Sequence, residues 1–222
     1  LQQVSPISRR RPRQRSKAFT LIEVVTVIAV LVILLMAGIS LLGGTGAQAR
    51  RAATDLLAGM IEQARTTAIT TRSDVILAIA EPGDLPGSDE RGRLALFRVE
   101  TWPDSPTEPI KATLLNRWRT LETGVVLLGG EVGGLANPLD SAQRKIQFGP
   151  NHSKEVEAHI LVFHPRGGLR IPEGSTPVAM RVAEGGYRNG VASPNRRGDS
   201  ATIAENQLRI GRVTARAYRS DG

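Results

Sequence analysis

One segment constrains this chain more than any other: Leu21 to Leu42 reads LIEVVTVIAVLVILLMAGISLL, with a single charged residue, Glu23. At a rise of about 1.5 Å per residue such a helix covers roughly 33 Å, against a bilayer hydrocarbon core of about 30 Å. A core strand is far shorter, so the run predicts a membrane span. Charge gives its orientation. The net charge is +8, and Arg9, Arg10, Arg11, Arg13, Arg15 and Lys17 precede the run with no acid among residues 1–18; without them 29 − 6 = 23 basic residues face 21 acidic ones. The basic excess is a tail in front of an apolar segment, which predicts a cytoplasmic N-terminus and an outward C-terminal domain. The chain beyond the apolar run has room for one globular domain with its own core. A first residue of Leu1 rather than Met leads us to expect a truncated chain or another start.

Glu23 is the residue that a plain anchor does not explain. A carboxylate at the bilayer centre costs on the order of 2.5 to 3.5 kcal/mol, and less near the interface. One reading places it at headgroup level, where the positive end of the helix dipole favours it. The other uses its neighbours. The stretch Lys17-Ala18-Phe19-Thr20-Leu21-Ile22-Glu23 resembles the N-terminal cleavage and methylation motif of the type IV prepilin family, which includes pilins and the pseudopilins of type II secretion. The resemblance implies cleavage by a prepilin peptidase between Ala18 and Phe19, methylation of the new N-terminus at Phe19, and a role for Glu23 in assembly. An amine freed at Phe19 and the Glu23 carboxylate can pair between adjacent subunits at low dielectric, where each alone is costly. The family usually has Gly where this chain has Ala18, so processing is expected to be slower.

Two local patterns compete with that reading. Ala47-Gln48-Ala49 has the A-x-A form of a signal-peptidase site and would release a soluble exported domain beginning at Arg50; against it, the apolar run exceeds the usual h-region of about 7 to 15 residues. Gly44-Thr45-Gly46-Ala47-Gln48-Ala49 matches G-x-G-x-x-A, but the segment before it is too long for a strand, and no acidic residue closes a second strand at the right distance. Gly43, Gly44 and Gly46 instead predict a flexible or melted junction.

Beyond it, Ala53, Leu56, Leu57, Met60, Ile61, Ala64 and Ala68 recur at i, i+3, i+4, while Arg50, Arg51, Asp55, Glu62, Arg65 and Arg72 lie mostly off that stripe. This predicts an amphipathic helix over 46–72 that continues the transmembrane and assembly helix of 19–45, itself preceded by a basic leader of 1–18. Residues 73–222 change to short β-rich runs punctuated by Gly and Pro: 75–80, 94–101, 124–128, 145–148, 156–164, 169–171, 178–183 and 208–218. The polar stretch 184–206 is expected to be an exposed loop. The predicted fold class is α+β, a pilin-like lollipop whose long N-terminal helix packs on an antiparallel sheet domain.

No enzyme signature is present. There is no cysteine, and His152, His159 and His164 carry no metal-site spacing. His159 and His164 differ in parity along a strand and are expected on opposite faces. Trp102 and Trp118 are expected in the core or at its edge. Arg197-Gly198-Asp199 is given no role. Arg209, Arg212, Arg216 and Arg219 offer a phosphate-contacting patch for nucleic acid; the simpler reading is a solvated basic strand with Val213, Ala215 and Ala217 turned inward. The lack of cysteine, the basic C-terminus and Trp118-Arg119-Thr120-Leu121 before Gly124-Val125 resemble the minor pseudopilin H and its pilus relatives. The resemblance implies a non-catalytic minor subunit of the bacterial inner membrane, without cofactor or metal, single-pass, its domain in the periplasm. Its expected partners are the prepilin peptidase, other pilin or pseudopilin subunits through the N-terminal helix, and the membrane, with a DNA-uptake receptor as the alternative.

Overall fold

The computed structural model describes residues 21–42, 45–84, 90–196 and 203–220. The chain divides into two units, 1–43 and 44–222. In the first, α1 runs over Leu21–Leu42 with Glu23 in its first turn. Its side chains are described from Leu21 to Val32, and the large apolar ones are all exposed, between 83% at Leu21 and 44% at Val32. Among the described residues no helix is long and apolar enough to cross a membrane. The side chains of the second half of the expected span, residues 33–42, lie outside the described ones.

The second unit begins with α2, Thr45–Thr71. Ala53, Leu57, Met60, Ile61, Ala64 and Ala68 of the expected stripe are buried, and Leu56 packs beside them. Each fully buried Leu or Ile contributes about 1.5 to 3 kcal/mol, so this face, rather than propensity, holds the helix. Gly46 lies inside α2 rather than in a melted junction; Gly43 and Gly44 lie outside the described residues.

Five strands then close into a ring. β1 (Val75–Ala80) pairs with β2 (Arg93–Thr101), and β2 with β3 (Ile110–Leu114). β3 pairs with β6 (Arg144–Phe148), β6 with β7 (Lys154–Phe163), and β7 returns to β1. Every pairing is antiparallel except β3 with β6, which is parallel and corrects the expectation of a purely antiparallel sheet. Two short strands lie off the ring: β4 (Arg119–Thr120) on β2 and β8 (Leu169–Ile171) on β7. The ring is filled by Ile76, Phe97, Ile110, Ile146, Phe148 and Ile160. Phe97 meets Phe148 and Trp118 edge-on, at centroid distances of 5.2 and 5.8 Å. Successive strand side chains point to opposite faces, so β1 serves two cores. Ile76, Ala78 and Ala80 fill the ring, while Val75, Leu77 and Ile79 face the cluster around α2.

A second sheet covers α2 from another direction. Its central strand β9 (Val178–Arg188) pairs with β5 (Val125–Leu128), β10 (Val191–Pro194) and β11 (Glu205–Ile210), and β12 (Ala217–Ser220) follows β11 at the edge. Val178, Met180, Val182, Leu208 and Ile210 join the α2 cluster. Residues 184–206 are therefore not one long loop. β9 continues through Glu184 to Arg188 and turns back into β10 at Asn189-Gly190, whose φ values of 51° and 80° suit the tight turn that an Asn-Gly pair favours. The run 208–218 is likewise two strands, β11 and β12, joined by a turn that leaves Val213 83% exposed rather than inward; Ala215 is buried and Ala217 packs at the core's edge.

Candidate functional site

The expected processing residues Ala18 and Phe19 lie outside the described residues, as does Arg197-Gly198-Asp199. Glu23 is described. It occupies an exposed position in the first turn of α1 among apolar side chains, and one turn on the Thr26 hydroxyl donates to the Ile22 carbonyl at 2.7 Å. The apolar residues go all round this helix without a polar face, which in the described part finds no core to enter.

In the second unit, α2 is fastened near its start by a polar clasp. The Arg50 guanidinium donates to Glu184 Oε1 at 2.8 Å and to Asn206 Oδ1 at 3.2 Å. Asn206 donates in turn to the Thr54 hydroxyl at 3.1 Å, and that hydroxyl donates to the Arg50 carbonyl at 2.7 Å. A cleft of about 670 Å³ opens beside the clasp, lined by Gly46, Gln48, Ala52, Glu122 and Thr123 among others. Ala47-Gln48-Ala49 lies within the helix, and Ala49 packs against the buried cluster. A peptidase that needs an extended chain would meet a folded helix there.

The histidines are apart. His159 is buried with Nδ1 2.9 Å from the Ser141 carbonyl. His152 Nε2 lies 3.0 Å from Glu100 Oε2, and His164 Nδ1 accepts the Arg166 N–H at 3.1 Å. Among the described residues no group of three His, Cys, Asp or Glu side chains could hold a metal. Near His159, Glu81 and Asp84 are held above the usual carboxylate range, chiefly by burial, with the charge of His159 opposing the shift. Burial also pushes the Tyr187 phenol up to about 12; its oxygen accepts the Leu127 N–H at 3.4 Å. Trp102 sits half-buried at the edge of the ring. Its indole N–H donates to Asp74 at 2.8 Å and Arg170 lies over its ring at 4.6 Å. These are structural contacts.

The four C-terminal arginines do not make one patch. Arg212 is spent inside the fold: its guanidinium donates to the carbonyls of Pro172 and Thr176, the latter at 3.0 Å. Burial lowers its pKa. Arg219 stands opposite buried Leu208, on the helix side of the sheet, 3.7 Å from Asp55. Arg209 and Arg216 are exposed on the other face. The patch expected of Arg209, Arg212, Arg216 and Arg219 is corrected to a pair, because the β11–β12 turn sends alternate side chains to opposite faces.

Residues 13–39 match the family model of the prokaryotic N-terminal methylation motif. That motif is the signature of prepilins and pseudopilins, and it supports a type IV pilin-like or pseudopilin subunit. Neither the curated proteins nor the solved structures give a significant match to the chain.

Proposed function

We propose that the chain is a non-catalytic minor subunit of a type II secretion pseudopilus or a type IV pilus-like filament. The observation that carries this reading is the methylation motif over residues 13–39 leading into an exposed apolar helix with Glu23 in its first turn. Apolar surface of that kind is stable in lipid or against like helices, and a filament supplies the second as the membrane supplies the first. In this reading the leader stays cytoplasmic and the helix spans the inner membrane. The prepilin peptidase cuts between Ala18 and Phe19, the Phe19 amine is methylated, and Glu23 pairs with the amine of a neighbour during assembly. The second unit faces the periplasm. The absence of a cysteine loop and the basic C-terminal hairpin favour a minor subunit.

The test is the N-terminal peptide of membrane-extracted protein, measured by mass spectrometry in cells with and without the prepilin peptidase. A methylated start at Phe19 that depends on the peptidase is expected. A start at Arg50 would identify a released soluble domain, and an uncut leader a plain anchor; either outcome removes the assembly role of Glu23.

A further inference from the structure

The last strand of the second sheet is an open edge. β12 pairs with β11 on one side, and among the described residues no strand pairs with it on the other. The Gly211 N–H donates to the Arg216 carbonyl at 2.9 Å, which fixes the alternation of the ladder. Backbone groups of Tyr218 and Ser220 turn to β11, and those of Ala217 and Arg219 turn to the open side. Other edges are blunted: β10 ends in Pro194, β4 and β8 are only 2 and 3 residues long, and on β5 the Leu127 N–H donates to the Tyr187 oxygen while the Leu128 carbonyl accepts from Asn137. Long or unblocked edges invite pairing.

The surface around this edge is basic. Its exposed bases on the face of Tyr218 are Arg209 and Arg216; Arg212 is bonded to the Pro172 and Thr176 carbonyls and Arg219 lies 3.7 Å from Asp55, and the acid on the neighbouring strand is Glu205. Glu205 is already held by Arg181, at 2.7 Å. Arg209 stands directly across from Tyr218, and Arg216 shares their face by alternation. Tyr218 is 55% exposed, and among the described residues neither Arg209 nor Arg216 makes an ion pair.

We propose that this edge docks an acidic extended segment of a partner protein, added to the sheet beside β12 as a further strand. The backbone groups of Ala217 and Arg219 pair with the incoming backbone, and its Asp or Glu side chains lie on the face of Tyr218, where Arg209 and Arg216 meet them. A peptide fits better than a nucleic acid. A strand edge presents donors and acceptors alternately; a phosphate backbone satisfies only the donors, and a single exposed aromatic offers little stacking. The docking does not depend on whether the chain enters a filament.

The experiment uses the full chain in detergent micelles and a fluorescent peptide of alternating Glu and Val, about six residues long like an average strand. Binding at low salt is expected, with amide exchange slowed at Ala217 and Arg219 but little changed at Tyr218. Arg209→Glu with Arg216→Glu should weaken it about tenfold or more, as should Ala217→Pro, which removes an edge donor without touching the β11 ladder. No binding at low salt overturns the proposal. So does binding without slowed exchange at Ala217 and Arg219, which means charge attraction alone. Tighter binding of oligothymidylate than of the peptide overturns it in favour of nucleic acid.

Discussion

Replacing Arg50 by Ala should loosen the first turns of α2 more than any exposed ion pair in the protein can. The Arg50 and Glu184 side chains are only 15% and 10% exposed. Removing one partner of a fully buried pair costs about 3 to 5 kcal/mol, because the other charge is left desolvated. The residual exposure reduces that to about 2 kcal/mol, and the lost bond to Asn206 adds about 1 kcal/mol. A total near 3 kcal/mol corresponds to a fall in Tm of about 6 to 12 °C for a domain of this size. Far-UV circular dichroism of the full chain in micelles reads it. Lys145→Ala is the control, since Lys145 and Glu155 are 49% and 43% exposed at 3.6 Å, a pair worth about 0 to 1 kcal/mol. Gly46→Ala tests the same clasp from the other side. A Cβ there stands 3.0 Å from the Glu184 carboxylate, so the usual gain of about 1 kcal/mol for Gly to Ala in a helix should be absent or reversed. An Arg50→Ala shift no larger than that of Lys145→Ala would refute the buried-clasp argument.

Glu81 and Asp84 have folded pKa values raised from 4.5 and 3.8, mainly by burial. Raised carboxyls oppose folding above their folded pKa, and the opposition disappears as pH falls through that value to the unfolded one. Glu81→Gln should therefore stabilise the protein at neutral pH and lose that advantage on acidification to about 4, as read by urea unfolding at several pH values. Gly190→Ala should cost about 1 kcal/mol or more, since φ is +80° and a Cβ would stand 3.3 Å from the Pro82 carbonyl; the urea midpoint reports it. Glu23→Ala should leave unfolding of the second unit unchanged while removing the chain from sheared filaments, as read by immunoblot.

Much of the fold is legible because periodicity is local. β1 is bounded by its own apolar run, and the α2 stripe by its i, i+3, i+4 spacing. β3 escapes a sequence reading: Ile110–Leu114 is short and its partner β6 lies far along the chain. The polar look of Glu184 to Asn206 hides a hairpin whose Asn189-Gly190 turn is a direct signal. Glu184 itself is buried because Arg50, 134 residues earlier, reaches it. Leu208 and Ile210 fall on even positions and Ala215 and Ala217 on odd ones, so the alternation breaks near Gly211, and that break is the sequence signal that the run is two strands. Arg212 looks free for phosphate, since nothing in sequence announces that the carbonyls it bonds belong to Pro172 and Thr176. The methylation motif is legible because peptidase recognition uses contiguous residues, whereas clasps and edges come from chain segments that only folding brings together.

The two-sided burial of β1 bears on how the second unit comes apart. Its odd residues belong to the helix layer and its even residues to the ring, so neither can open while the other keeps its shared wall. Melting should be a single cooperative event, with β1 amides among the slowest to exchange. A partner tugging at the β12 edge then works against the whole domain rather than peeling off one sheet.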